Sequence, residues 1–349
     1  MGLFDGATAE TGSTADIAAM TGWPVVLIVD ARAQAASAAA VVRGFAEHRA
    51  DVRVAGVVFN RVASERHRRH ILDAMAALPD IAVLGFLPGR EDLTVPSRHL
   101  GLVQAMELAD AEAMIEAAAT HVGEHIDLDA LRALAMPAAV GGMGVAGPAL
   151  PPLGQRIAVA DDAAFAFRYP HVMQGWRDAG AEIMPFSPLA GGGPPDDADA
   201  IYLAGGYPEL HAGAIAANEP FMAGLRAAAE SGNAIFGECG GYMVLGEGLV
   251  DADGTRHAMA GLLPVETSFA KRKLHLGYRR ATLATGCGFG PAGAVYRGHE
   301  FHYASIVRED TSSPLFELTD AFGDPLPPAG AVRGSVAGSF IHLIDREES

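Results

Sequence analysis

The sequence predicts two α/β domains in tandem, on three observations: its length, its short apolar runs alternating with Ala-rich stretches, and a charge-free break near its middle. At 349 residues the chain is about two domains' worth, by the usual prior of roughly 100 to 200 residues each. Half of the residues are hydrophobic and 19% are charged. That is enough apolar material for real cores, and it is neither a membrane nor a disordered composition.

On the N-terminal side, residues 24–30 (PVVLIVD), 52–60 (VRVAGVVFN) and 81–87 (IAVLGFL) are short runs apolar on both faces. They are separated by Ala-rich stretches at residues 33–47, 64–77 and 97–119, so they read as buried parallel strands with crossover helices. This is the pattern of a layered α/β domain. Residues 136–155 (MPAAVGGMGVAGPALPPLGQ) are rich in Gly, Pro and Ala and carry no charge, as suits a linker. The expected domains are therefore 1–136 and 156–349, joined by 137–155.

The style repeats on the C-terminal side. Residues 156–160, 182–186, 200–203 and 234–236 are short apolar runs, divided by helical stretches such as 172–179 and 208–231. Residues 277–283, 295–307 and 335–343 then carry β-branched and aromatic residues between turn signals, which predicts an antiparallel extension of a second α/β sheet. No internal repeat is present, so a solenoid is excluded.

The formal net charge is −17, and only two lysines occur, Lys271 and Lys273. A field of that sign repels nucleic acid and anionic membranes, which are bound through clustered Lys and Arg. No run approaches the 18 or so apolar residues of a spanning helix, and the first residues lack the layout of a signal peptide. A cytoplasmic protein is expected. An anionic substrate would need local cations, and Arg98, residues 271–273 and Arg279–Arg280 supply them, although a solvated charged loop is the simpler role for any one. Two cysteines, Cys239 and Cys287, are too few for a disulfide framework.

The sharpest motif is Gly237-Glu238-Cys239-Gly240-Gly241, after an apolar run and before a helical stretch. A small-x-nucleophile-x-small pattern at a strand-to-helix turn is a nucleophile elbow. Its small residues permit a strained turn that lifts the side chain clear of the sheet, the helix N-terminus stabilises a thiolate, and nearby backbone N–H groups can bind an oxyanion. A buried structural cysteine is the simpler alternative. A cysteine nucleophile also needs a base from elsewhere in the chain. Of the thirteen histidines, His342 in Gly338-Ser339-Phe340-Ile341-His342 lies at the end of a strand-like run, where a catalytic group of an α/β domain belongs. His299 and His302 flank the carboxylate of Glu300 and are its rivals, and any of the three could serve only as a structural hydrogen-bonding residue. In Leu203-Ala204-Gly205-Gly206-Tyr207-Pro208-Glu209, two glycines let backbone N–H groups approach an oxyanion, or simply make a turn.

The GGYPE, GECGG, RGHEFHY and SFIHL segments, in this order, resemble the glutamine amidotransferase domain of the cobyrinic and hydrogenobyrinic acid a,c-diamide synthases. MGLFDG, GSTAD, VVLIVDA, GVVFNRV, SERH and PSRHLGL resemble the ATP-dependent synthetase domain of the same family, so the likeness covers nearly the whole chain. It implies a P-loop-NTPase-like, dethiobiotin-synthetase-like parallel sheet lacking its first segment, followed by a class I glutamine amidotransferase-like domain. The chemistry implied is attack of Cys239 on the glutamine carboxamide, with His342 as base and the Gly206 and Gly240 backbone as oxyanion donors. Ammonia then converts the a and c carboxylates of a polycarboxylate corrinoid, activated by ATP and Mg²⁺, to amides. The resemblance gives Asp5 to the Mg²⁺ site and Asn60 to adenine, where the simpler roles are a turn former and a strand-end cap. Arg98 and Lys273 are candidates for the corrinoid carboxylates.

The tripeptide His342-Leu343-Ile344 lacks the carboxylate that many amidotransferases place two residues after the base, which matches the cobyrinate branch and its Cys-His pair. No Gly-Lys dipeptide occurs, so the family's G-x-x-x-x-G-K-[ST] loop is not in this sequence. The expectation is an N-terminally shortened member whose residues 1–136 are less stable than 156–349, with a sheet edge open to a second chain, as in a homodimer. LGEGL and KRKLHLGYRR look more like hydrogenobyrinate than cobyrinate enzymes. The rival readings are a stand-alone glutaminase, which would release glutamate without consuming ATP, and a non-catalytic corrinoid-binding protein, whose affinity would survive Cys239→Ala.

Overall fold

In a computed structural model, the structure describes residues 2–98, 101–139, 147–310 and 312–347. The chain divides into two compact units, Met1–Gly144 and Val145–Ser349. The expected 137–155 linker lies in part outside the described residues.

The first unit runs α1 (Thr14–Thr21), β1 (Val25–Asp30), α2 (Ala36–His48), β2 (Val54–Asn60), α3 (Glu65–Met75), β3 (Ala82–Leu87), β4 (Ser97–Arg98), β5 (Gly101–Leu102), α4 (Ala111–His125) and α5 (Leu128–Ala133). Strands β1, β2 and β3 form a parallel sheet in that order. The central strand β2 is apolar throughout because both of its faces are covered, and only its last residue, Asn60, escapes burial. Val57, Phe59, Ile71 and Met75 form the core between sheet and helices. Serine and aspartate at the start of α1 make a reciprocal cap, with Ser13 N–H donating to Asp16 Oδ2 at 2.8 Å and Asp16 N–H to Ser13 Oγ at 3.3 Å.

One expected helix is absent as drawn. Residues 97–119 begin as the short hairpin β4–β5, and helix starts only at Ala111. Gly101 explains it in part, because it adopts a φ of 126° that no helix accommodates.

The second unit runs β6 (Arg156–Ala160), α6 (Pro170–Asp178), β7 (Glu182–Phe186), β8 (Ala200–Leu203), α7 (Ala212–Ala217), α8 (Glu219–Glu230), β9 (Ala234–Glu238) and α9 (Gly240–Leu245). There follow β10 (Gly248–Val250), β11 (Arg256–Ala258), β12 (Val265–Ser268), β13 (His275–Leu283), β14 (Val295–His302) and β15 (Ser305–Glu309). The last four strands are β16 (Pro314–Thr319), β17 (Pro325–Arg333), β18 (Val336–Ser339) and β19 (Ile341–Arg346). Ten strands share one sheet in the order β19-β14-β13-β16-β17-β18-β9-β8-β6-β7, while β11, β10, β12 and β15 form another. Pairing is parallel from β18 through β7 and antiparallel from β19 through β18.

Three expected segments are interrupted for identifiable reasons. Residues 208–231 break at Asn218, whose side chain accepts from Phe221 N–H at 3.1 Å and starts a new helix with Pro220 in its first turn. Residues 295–307 split at Tyr303–Ala304, where His302 Nδ1 turns back onto the Ala304 carbonyl at 3.0 Å, and β15 joins the other sheet. Residues 335–343 bend at Phe340. The chain leaves β18 beside β9 and enters β19 beside β14, so the antiparallel strands curl back and bring His342 to the end of β9.

Both faces of the large sheet are packed. Trp176, Tyr202, Phe236 and Phe289 lie on one side, and Trp176 Nε1 donates to the Leu150 carbonyl at 3.1 Å. Phe165, Phe221, Tyr242 and Leu245 lie on the other. Each such side chain removes enough apolar area to be worth roughly 1.5–3 kcal/mol.

Candidate active site

The elbow is built by backbone sterics. Cys239 sits between β9 and α9 with φ 49° and ψ −101°, in a region few non-glycine residues occupy. Its N–H donates to the Ser339 carbonyl at 2.8 Å, tying the strained turn to the neighbouring strand β18. Glycine is required after it, because a Cβ on Gly241 would collide with the Leu203 carbonyl. The thiol is almost fully buried.

His342 meets this cysteine. Its Nδ1 lies 2.8 Å from Glu238 Oε1, and the Cys239 side chain lies close enough to act electrostatically on the same ring. A carboxylate can only accept, so the imidazole carries a proton on Nδ1 and presents Nε2 to the sulfur. The other oxygen, Glu238 Oε2, accepts from Leu343 N–H at 3.2 Å. Burial disfavours a charged imidazole, but the charges of Cys239 and Glu238 outweigh it and push the His342 pKa up to about 10.

The carboxylate therefore exists, and it comes from the elbow rather than from the residues after the histidine. Sequence reading overlooked it because it looked two residues downstream of His342. The available signal was a glutamate inside an otherwise glycine-rich turn, next to Cys239.

The GGYPE loop lies against the pair. A Cβ on Gly205 would stand 2.8 Å from His342 Cε1 and 3.5 Å from Cys239 Cβ, and one on Gly240 would stand 3.1 Å from Gly206 N. Gly205, Gly206, Gly240, Cys239 and His342 thus converge.

The two rival histidines part company. His299 is the register partner of His342 and stacks on it, with ring centroids 4.8 Å apart and planes 7° from parallel. His302, on the alternate face of β14, bonds Glu300 Oε1 at 2.9 Å through Nε2, and Arg279 holds Glu300 Oε2 at 2.7 Å. His275, Glu300 and His302 offer ligand atoms within 4.8 Å of one another. Both His302 nitrogens and both Glu300 oxygens are nevertheless engaged within the protein.

The remaining expected residues each have their own local contacts. In the first unit, Asp5 Oδ2 accepts from Gly2 N–H at 2.5 Å, and Asn60 Oδ1, at the end of β2, accepts from Arg61 N–H at 2.9 Å. Arg98 forms an ion pair with Glu107 at 2.7 Å. In the second unit, Lys273 is exposed, and its N–H donates to the Tyr303 carbonyl at 3.1 Å.

Residues 156–349 match the model of the CobB/CobQ-like glutamine amidotransferase domain, and residues 2–97 match an AAA domain. A hydrogenobyrinate a,c-diamide synthase from Rhizobium meliloti is 54% identical over 349 residues, covering 100% of this chain and 80% of the relative. The chain belongs to the hydrogenobyrinate a,c-diamide synthase family. A second member, from Rhodobacter capsulatus, is 52% identical over 99% of this chain and 79% of its own length. A third, from a Sinorhizobium species, is 53% identical with the same two coverages. The two α/β units are those the family likeness implied. Among the described residues, no helix is long and apolar enough to cross a membrane.

Proposed function

We propose that the chain works in cobalamin biosynthesis as a ligase, amidating the a and c side-chain carboxylates of hydrogenobyrinate, or of cobyrinate, with nitrogen from glutamine. Family membership supports this reading, and the observation that carries the chemistry is Cys239 beside an imidazole whose Nδ1 is fixed by Glu238. In this reading residues 1–136 are the synthetase part, 137–155 the connection, and 156–349 the amidotransferase part.

The raised proton affinity of His342 favours a thiolate-imidazolium pair. The Cys239 sulfur attacks the carboxamide carbon of glutamine, and in this reading the neighbouring backbone N–H groups of Gly206 and Gly240 hold the oxyanion. His342 gives its Nε2 proton to the leaving nitrogen, the C–N bond breaks, and ammonia departs from a γ-glutamyl thioester. Water then attacks the thioester, His342 takes its proton, and collapse expels glutamate and restores the thiolate.

The AAA match supports nucleotide binding by the first unit, and in this reading Asn60 faces adenine and Asp5 faces Mg²⁺. ATP would supply the activation of the corrinoid carboxylates. These two residues do not compose a phosphate cradle, since each side chain is turned onto a local backbone N–H and no G-x-x-x-x-G-K-[ST] segment is in the sequence. No step is derived through the nucleotide. Lys273, exposed, and Arg98 stand as contacts for the corrinoid carboxylates.

The test is to incubate the chain with amide-nitrogen-labelled glutamine, Mg-ATP and hydrogenobyrinate, and to read the corrinoid by mass spectrometry. Label in the a and c amides supports the full reading. Glutamate release with unlabelled corrinoid and unspent ATP marks the stand-alone glutaminase. Corrinoid binding with no turnover overturns both.

A further inference from the structure

We propose that His299 is a positioning residue for His342, a neutral flat plate braced by Tyr169 that fixes the plane of the catalytic imidazole. The inference rests on the reading of His342 as the base.

An imidazole hydrogen-bonded through one nitrogen can still pivot about that bond. Glu238 fixes Nδ1 of His342 but does not by itself fix the direction of Nε2. Three neighbours do. The His299 ring covers one face of His342 in a near-parallel stack. Tyr169 stands edge-on to both rings, with centroids 6.3 Å away and planes at 88° to His299 and 89° to His342. The Gly205 backbone closes on the Cε1 edge. Tyr169 is braced in turn, its hydroxyl lying 2.6 Å from His299 Nε2. Register makes the stack a property of the fold, because His299 and His342 are direct partners on adjacent antiparallel strands.

The plate has to be uncharged, since a cation stacked on His342 would oppose the imidazolium needed to protonate the leaving nitrogen. The titratable groups facing His299 are His342, Tyr169 and its β13 partner Tyr278. Burial, reinforced by the charge of His342, holds the His299 pKa down to about 4, and burial raises that of Tyr169. Both are therefore neutral at neutral pH.

The experiment compares glutamine hydrolysis by the wild-type chain, His299→Phe, His299→Leu, His299→Ala and Tyr169→Phe, measuring kcat, KM and the pH profile, with folding checked by circular dichroism. Phenylalanine restores a flat ring that cannot titrate, whereas leucine restores volume without a plane. The expected result is a kcat lowered about tenfold in the leucine and alanine variants with KM unchanged. The phenylalanine variant should stay within about threefold of wild type with the acid limb of its profile in place, and Tyr169→Phe should fall between. A phenylalanine variant as slow as the leucine variant would overturn the proposal in favour of a proton-carrying role. Wild-type rates in the leucine variant would overturn it outright. Wild-type turnover that survives His342→Ala would instead refute the base assignment, and the proposal with it.

Discussion

Glu238 and His342, 104 residues apart in sequence, are joined by a 2.8 Å hydrogen bond between Oε1 and Nδ1. Glu238 ends β9 and its neighbour Cys239 makes the elbow, so in the proposed reaction one turn delivers both the nucleophile and the carboxylate that orients the base.

Glu238→Gln keeps the shape but replaces an acceptor-only group with an amide, which permits the wrong tautomer of His342. The expected loss in kcat for glutamine hydrolysis is on the order of 10²-fold with little change in KM. Steady-state kinetics check it, and undiminished kcat would show that Cys239 and His342 suffice.

Gly205→Ala and Gly241→Ala should fail differently. The first places a methyl against the His342 ring edge, so activity falls while the melting temperature hardly moves. The second drives a methyl into the Leu203 carbonyl inside the sheet, where overpacking costs typically 1–3 kcal/mol or more. Thermal melts alongside glutaminase assays separate the two.

The two stacked histidines give opposite pH dependences. His299 titrates at about 4 in the folded chain and near its ordinary 6.5 when unfolded. Between those values the unfolded state binds the extra proton, so stability rises with pH through this window. His299→Phe should flatten that rise. His342, pushed up to about 10, contributes stability that is full below pH 6.5 and is lost as pH rises through 10. Denaturant midpoints across pH, for wild type, His299→Phe and His342→Ala, measure both slopes.

The parallel strands and the elbow were legible because burial on both faces leaves an unbroken apolar run and a strained turn demands glycine. Gly237 to Gly241 and His342 could therefore be picked out without a structure. Glu238 could not be given its role, because that role depends on the bend at Phe340, which returns β19 to the end of β9, and a bend between two strands has no periodicity to betray it. The stack of His299 on His342 was hidden for the same reason: it is a matter of strand register. The split at Asn218 was open to view as an Asn-Glu-Pro start signal, but the Ala-rich surroundings masked it.

The most direct measurement is glutamate release from glutamine by the chain and by its Cys239→Ser and His342→Ala variants, with and without Mg-ATP and hydrogenobyrinate. The account predicts release by the wild-type chain and its loss in both variants, each still folded. Release that persists in Cys239→Ser would contradict it, because the account makes the Cys239 sulfur the attacking nucleophile.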